Sequence, residues 1–148
     1  MTLQMNRLNH FALLVSCLLG LSQTVVYAQD ENHRGPHAAE RTYAQNFKDM
    51  VFAHCLAEAY DDDKQTVRDL ASSHAALIDW TYFDMDKAPE VVADLVQRYL
   101  SLDYTNPFAE HEAPGLRFDF LKCLDLYHSD ELEELTHEMV PEPESSIR

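Results

Sequence analysis

The chain has 148 residues, with 26 acidic side chains against 11 lysines and arginines, a formal net charge of −15 and a pI near 4.7. Such a charge repels nucleic acid and anionic lipid head groups and attracts cationic partners, so nucleic-acid binding is excluded as a function. The length suits one domain with a single core.

Residues 1–28 read as an export signal. Arg7 gives a basic start, no acidic residue precedes Asp30, Phe11 to Leu21 is a short apolar core, and Val26-Tyr27-Ala28 sets small residues at the cleavage positions. The apolar run is too short, and too broken by Ser16 and Gly20, for a membrane span. Cleavage after Ala28 leaves an exported, periplasmic chain with no membrane attachment. A rival is lipidation at Cys17 within Leu14-Val15-Ser16-Cys17, which would leave an apolar stretch where a polar tether is normal.

Of three cysteines, Cys17 departs with the signal, and Cys55 and Cys123 remain as an even pair in an oxidising compartment. They are expected to form a disulfide, worth roughly 4 kcal/mol in the loop-entropy model. A free catalytic thiol and two buried reduced cysteines are the alternatives.

Residues 29–39, "QDENHRGPHAA", read as a flexible arm, with Gly35-Pro36 breaking any helix between His33 and His37. From residue 40 to 140 there is one glycine and no strand-type alternation, which predicts an all-α, compact bundle of about five helices. The first helix, about Glu40 to Tyr60, carries Phe47, Met50, Val51, His54, Cys55 and Ala59 on one face. Asp61-Asp62-Asp63 lacks the ligand spacing of a calcium loop and is expected to cap the next helix. That second helix, about Lys64 to Trp80, has Val67, Leu70, Ala71, His74, Leu77 and Ile78 as its stripe. "WTYFDMD" follows as an aromatic corner that anchors the core.

The third helix runs about Pro89 to Leu102, with Pro89 in its first turn and Val92, Leu95, Val96 and Tyr99 inward. The stretch Asp103–Gly115, "DYTNPFAEHEAPG", is the longest break in the domain. Its two prolines and glycine predict a non-helical loop, and loops of that length tend to be functional. The fourth helix, about Leu116 to Tyr127, is expected to bury Leu116, Phe120, Cys123, Leu124 and Tyr127. Ser129 then caps a fifth helix, which buries Leu132, Leu135, Met139 and Val140. Residues 141–148, "PEPESSIR", read as a frayed tail.

The chemistry-bearing residues do not assemble a reaction. Cys123 and His128 are five apart on one helix and do not share a face, so they make a poor nucleophile–base pair. His128 reads instead as a helix C-terminal residue. "HEAPG" begins like a zinc-protease motif, but Gly115 stands where the second histidine is required. His54 and His74 read as core histidines satisfied by hydrogen bonds. No catalytic residue, metal site or cofactor is expected. The long loop offers a recognition surface in which Tyr104 and Phe108 anchor, and Glu110, His111 and Glu112 accept hydrogen bonds or meet cations.

Four segments in order carry a resemblance: "TYAQNFKDMVFAHCLAEAY" (Thr42–Tyr60), "ALIDWTYFDMDKAPEVVADLVQRYL" (Ala76–Leu100), "DYTNP" (Asp103–Pro107) and "FDFLKCLDLYHSDEL" (Phe118–Leu132). Together the chain resembles the periplasmic immunity proteins that neutralise the fourth family of type VI secretion amidase effectors. The resemblance implies a small all-helical exported protein that is not an enzyme, a homodimer that holds two amidase molecules in a 2:2 complex, and a target of the NlpC/P60 cysteine–histidine type that cuts peptidoglycan stems. It also implies a protruding loop that enters the amidase groove, begun here by Asp103, Tyr104, Asn106 and Pro107. Rival readings are a generic periplasmic scaffold module and a small metal-binding or hydrolytic enzyme built on His54, His74, His128 and Cys123.

Overall fold

The computed structural model describes residues 35–148; the expected signal peptide, its cleavage site, Cys17 and residues 29–34 of the expected arm lie outside them. Among the described residues the elements are a 3-10 turn, His37–Glu40, and six helices: α1 Tyr43–Ala59, α2 Lys64–Ile78, α3 Ala88–Leu100, α4 Pro107–Glu112, α5 Asp119–Tyr127 and α6 Asp130–Met139. None of these is long and apolar enough to cross a membrane.

The centre is α1, which packs on α2, α3, α5 and α6. Its start is closed on every side. Thr42 and Gln45 form a capping box, with the Gln45 amide donating to Thr42 Oγ1 at 3.2 Å and the Thr42 amide to Gln45 Oε1 at 3.0 Å. The next free donors, the amides of Tyr43 and Ala44, reach the carbonyls of Ser145 (2.7 Å) and Pro143 (3.0 Å). Residues 141–148 are therefore not frayed along their length: the tail supplies acceptors that a helix N-terminus otherwise seeks from water.

Asn46, fully buried, ties three segments together. Its amide nitrogen donates to the carbonyls of Ala38 (2.8 Å) and Trp80 (3.1 Å), and its oxygen accepts from Arg41 Nε (3.2 Å). Ala38 and Ala39 are buried as a result, so the domain begins at the 3-10 turn and takes in the last residues of the expected arm.

The inner face of α1 is as its periodicity predicts: Phe47, Met50, Val51, Cys55 and Ala59 are buried. Cys55 and Cys123 are bonded and have no exposed surface, which joins α1 to α5 and leaves no thiol at Cys123 to act as a nucleophile. Asp63 caps α2 by accepting from the amides of Gln65 and Thr66 at 3.0 and 3.3 Å. α2 is an outer helix resting on α1, so of its apolar stripe only Leu77 is buried. In the aromatic corner, Phe83 meets Phe47 edge-on at 5.6 Å, while Tyr82 and Met85 point outward. α3 buries Val92, Leu95 and Val96 as expected. Ser129 caps α6, accepting from the Leu132 amide at 3.1 Å, and Leu132, Met139 and Val140 enter the core.

His54 and His74 depart from expectation. Both are half-buried, their ring centroids lie 6.0 Å apart, and neither makes a hydrogen bond to the described residues. Burial, then repulsion from His54, pushes the His74 pKa below the ordinary histidine value.

α5 corrects the expected register. It starts at Asp119 rather than near residue 116, because Gly115 (φ 82°) and Phe118 (φ 57°) hold left-handed backbone between α4 and α5. Its inward residues are Asp119, Lys122, Cys123 and Leu126. Leu116 and Phe120, expected in the core, are 53% and 51% exposed.

Removing the disulfide, by reduction or by the double substitution Cys55→Ala/Cys123→Ala, is expected to lower the unfolding free energy by about 4 kcal/mol. Urea denaturation followed by circular dichroism measures it; an unchanged midpoint contradicts the structural role given to the bond.

Candidate protein-docking site

The segment between α3 and α5 contains a helix where a non-helical loop is expected. Asn106 and Pro107 start it instead of forbidding it: the Asn106 side chain accepts from the Phe108 amide at 2.9 Å, and proline in the first turn sacrifices an amide that has no helical partner anyway. α4 ends after six residues at Glu112. Its exit is folded back by Glu110, whose two carboxylate oxygens accept from the Gly115 amide at 3.2 Å.

The entry is equally tied. The Asp103 carboxylate accepts from both the amide and the hydroxyl of Thr105, and those bonds hold its pKa below the usual carboxylate value. The Tyr104 hydroxyl donates to Asp125 on α5 at 2.6 Å, which, with some burial and the Asp125 charge, pushes its pKa up to about 12. Lys122 Nζ sits 5.9 Å from the centre of the Tyr104 ring.

Beneath lies a partly buried ion cluster. Asp119 pairs with Lys122 at 3.1 Å and with Arg117 at 2.7 Å, and the side chains of Asp119 and Lys122 are both nearly sealed from water. Each cation also reaches a helix end. Lys122 Nζ donates to the carbonyl of Leu100, the last residue of α3, at 2.9 Å. Arg117 Nη2 donates to the carbonyl of Ala59, the last residue of α1, at 3.2 Å. Positive charge is favoured at these negative dipole ends, where carbonyls lack helical partners.

The eight residues singled out from the sequence thus divide by role. Asp103, Tyr104, Asn106 and Glu110 spend their polar groups inside the segment or on α5, and Pro107 starts the helix. Phe108, His111 and Glu112 face outward, with Phe108 85% exposed and the side chains of His111 and Glu112 making no hydrogen bond among the described residues. Sequence reasoning missed Leu116, Phe120 and Leu121, which add apolar surface on the α5 side of the segment. It also missed Arg117, Asp119 and Lys122; the i, i+3 spacing of Asp119 and Lys122 was the available signal. No group of three or more His, Cys, Asp or Glu among the described residues is placed to hold a metal. His128 ends α5, its amide donating to the Leu124 carbonyl at 3.0 Å.

Comparison with known proteins decides the family. The sequence model of Tai4, type VI secretion system (T6SS) amidase immunity protein, matches residues 45–136. The chain belongs to the Tai4 family. Its members are immunity proteins rather than enzymes. A structure from Serratia marcescens, described among new type VI-secreted toxins and self-resistance proteins, is 28% identical and superimposes with a TM-score of 0.64 over 78% of this chain and 94% of that one. The Tae4/Tai4 effector–immunity system of Salmonella typhimurium contains a chain 20% identical, with a TM-score of 0.60 over 70% of this chain and 95% of that one, which supports the fold. No curated protein matches significantly. The matched range spans the whole of α1 to α5 except the first two residues of α1, so the segment between α3 and α5 and its ion cluster lie inside the Tai4 region.

Replacing Asp119 by alanine leaves Lys122 buried with one carbonyl partner, and breaking a buried pair in this way costs about 3–5 kcal/mol. Chemical denaturation of Asp119→Ala is expected to show that loss, and a change within about 0.5 kcal/mol, as for ordinary surface substitutions, would contradict the cluster's role.

Proposed function

We propose that this Tai4-family protein acts in the periplasm, after removal of residues 1–28, by seating α4 and its flanks in the active-site groove of a type VI amidase effector. The effector in this reading is a cysteine–histidine amidase of the NlpC/P60 type that cuts peptidoglycan stems, and the immunity protein shields its own cell from attack by siblings. Two copies of the chain, as a homodimer, hold two effector molecules.

One observation carries the reading: α4 offers Phe108 at 85% exposure from a segment whose entry, exit and base are each hydrogen-bonded. An exposed aromatic on an ordered turn is a poor choice for a solitary surface and a good one for a pocket, because aromatic anchors dominate interface energetics. A segment ordered before docking loses little entropy on binding. Asp103, Tyr104, Asn106, Pro107 and Glu110 build the turn. Phe108, His111 and Glu112 meet the effector, with Leu116, Phe120 and Leu121 widening the contact. The acidic surface, at a formal net charge of −15, raises the rate of encounter with a basic partner in a salt-dependent way. The buried disulfide suits an oxidising compartment.

Coexpression with the cognate amidase, exported to the periplasm, is expected to restore growth; continued lysis would reject immunity. Phe108→Ala should keep the helix content and melting temperature of the parent and weaken effector binding by at least about 2 kcal/mol, roughly thirtyfold in Kd. Unaltered affinity would move the contact away from α4.

A further inference from the structure

A cavity of about 200 Å³, distinct from the docking segment, opens between α1, α2 and the start of α3, and its wall is mostly apolar. Two groups in that wall are chemical misfits. His54 comes from α1 and His74 from α2, their ring centroids are 6.0 Å apart, and neither imidazole has a hydrogen-bond partner among the described residues. Both rings are half-buried and tilted toward each other at 47°, an arrangement in which two imidazoles share one cavity without a protein partner among the described residues. Two thioethers line the same cavity: Met50, buried on α1, and Met85, 63% exposed at the aromatic corner.

The ligand chemistry follows from the donor set. A neutral imidazole has a lone pair to offer a metal ion, and two such rings stand together in this wall. Metal–nitrogen bonds are about 2.0 Å long, so once the width of each ring is added, one ion can touch rings at this separation. Imidazole and thioether together suit copper(I). No carboxylate lines the cavity, so a hard divalent cation would bring two charges to an apolar wall with no anion to offset them. A soft monovalent ion avoids that cost, and the acidic surface favours its approach.

We propose that His54 and His74, with the thioether of Met85 from the same cavity wall, form a binding site for copper(I). The site does not depend on effector binding and does not touch α4.

The test is an anaerobic titration in which the oxidised protein competes with bicinchoninate for copper(I). A Cys17→Ser background removes the cysteine outside the disulfide. The expected result is one copper(I) taken per chain, with affinity lowered at least about tenfold by His54→Gln or His74→Gln and lost in the double substitution. Met85→Leu, at an exposed position the fold does not need, should also lower copper(I) affinity while leaving thermal stability unchanged. Copper that stays on the chelator overturns the proposal. So does uptake that survives the double histidine substitution, which would place the ion elsewhere on the chain. Equal affinity in Met85→Leu, or zinc(II) bound as tightly as copper(I), rejects the thioether-ligated site.

Discussion

The carboxylate of Asp119 is the constraint on which the docking segment depends. It sits between Lys122 and Arg117, and each of those cations also reaches the last carbonyl of another helix, α3 or α1. One carboxylate thus holds together the end of α3, where the segment leaves the bundle, and the start of α5, where it returns. The Cys55–Cys123 bond lies one helical turn further along α5 and joins the same helix to α1. A buried ion pair is weak evidence for net stability, since desolvation offsets much of its attraction. Its value here is geometric: an alternative path for residues 103–118 would leave charge buried without a partner.

Much of the architecture was legible in the sequence because it rests on local rules. Asp63 and Ser129 cap helices where their positions before periodic apolar runs predict. The α1 and α3 faces follow 3.6-residue spacing, and Cys55 and Cys123 pair as expected from the sequence. The failures share one physical cause. In α5 the inward positions include Asp119 and Lys122, so a search for apolar periodicity rotates the helix and places Leu116 and Phe120 inside. Asn106-Pro107 has two meanings, breaker or helix start, and only the capping bond to Phe108 distinguishes them. Asn46 and the tail carbonyls of Pro143 and Ser145 satisfy distant backbone groups, a relation that spacing along the chain does not carry.

Membership of the Tai4 family gives the acidic bundle its biological setting, and the proposed docking of the segment between α3 and α5 would let such a bundle inhibit without chemistry of its own. The sulfurs of Cys55 and Cys123 are bonded to each other, and His128 ends a helix. What remains is shape: a six-residue helix held at both ends, with one aromatic ring displayed beyond it. Preorganisation of this kind converts more of the contact energy into affinity, because less of it is lost to ordering. In the proposed docking mode, the bundle behind α4 keeps that turn in one place.

Backbone nitrogen-15 relaxation of residues 103–118 in the protein free of any effector tests this account most directly. Order parameters near the rigid value of about 0.85, matching those of α3 and α5, are the predicted result. Values below about 0.6 across α4 would show a segment that becomes ordered only on binding, and would contradict a turn fixed in advance by Asp119 and its partners.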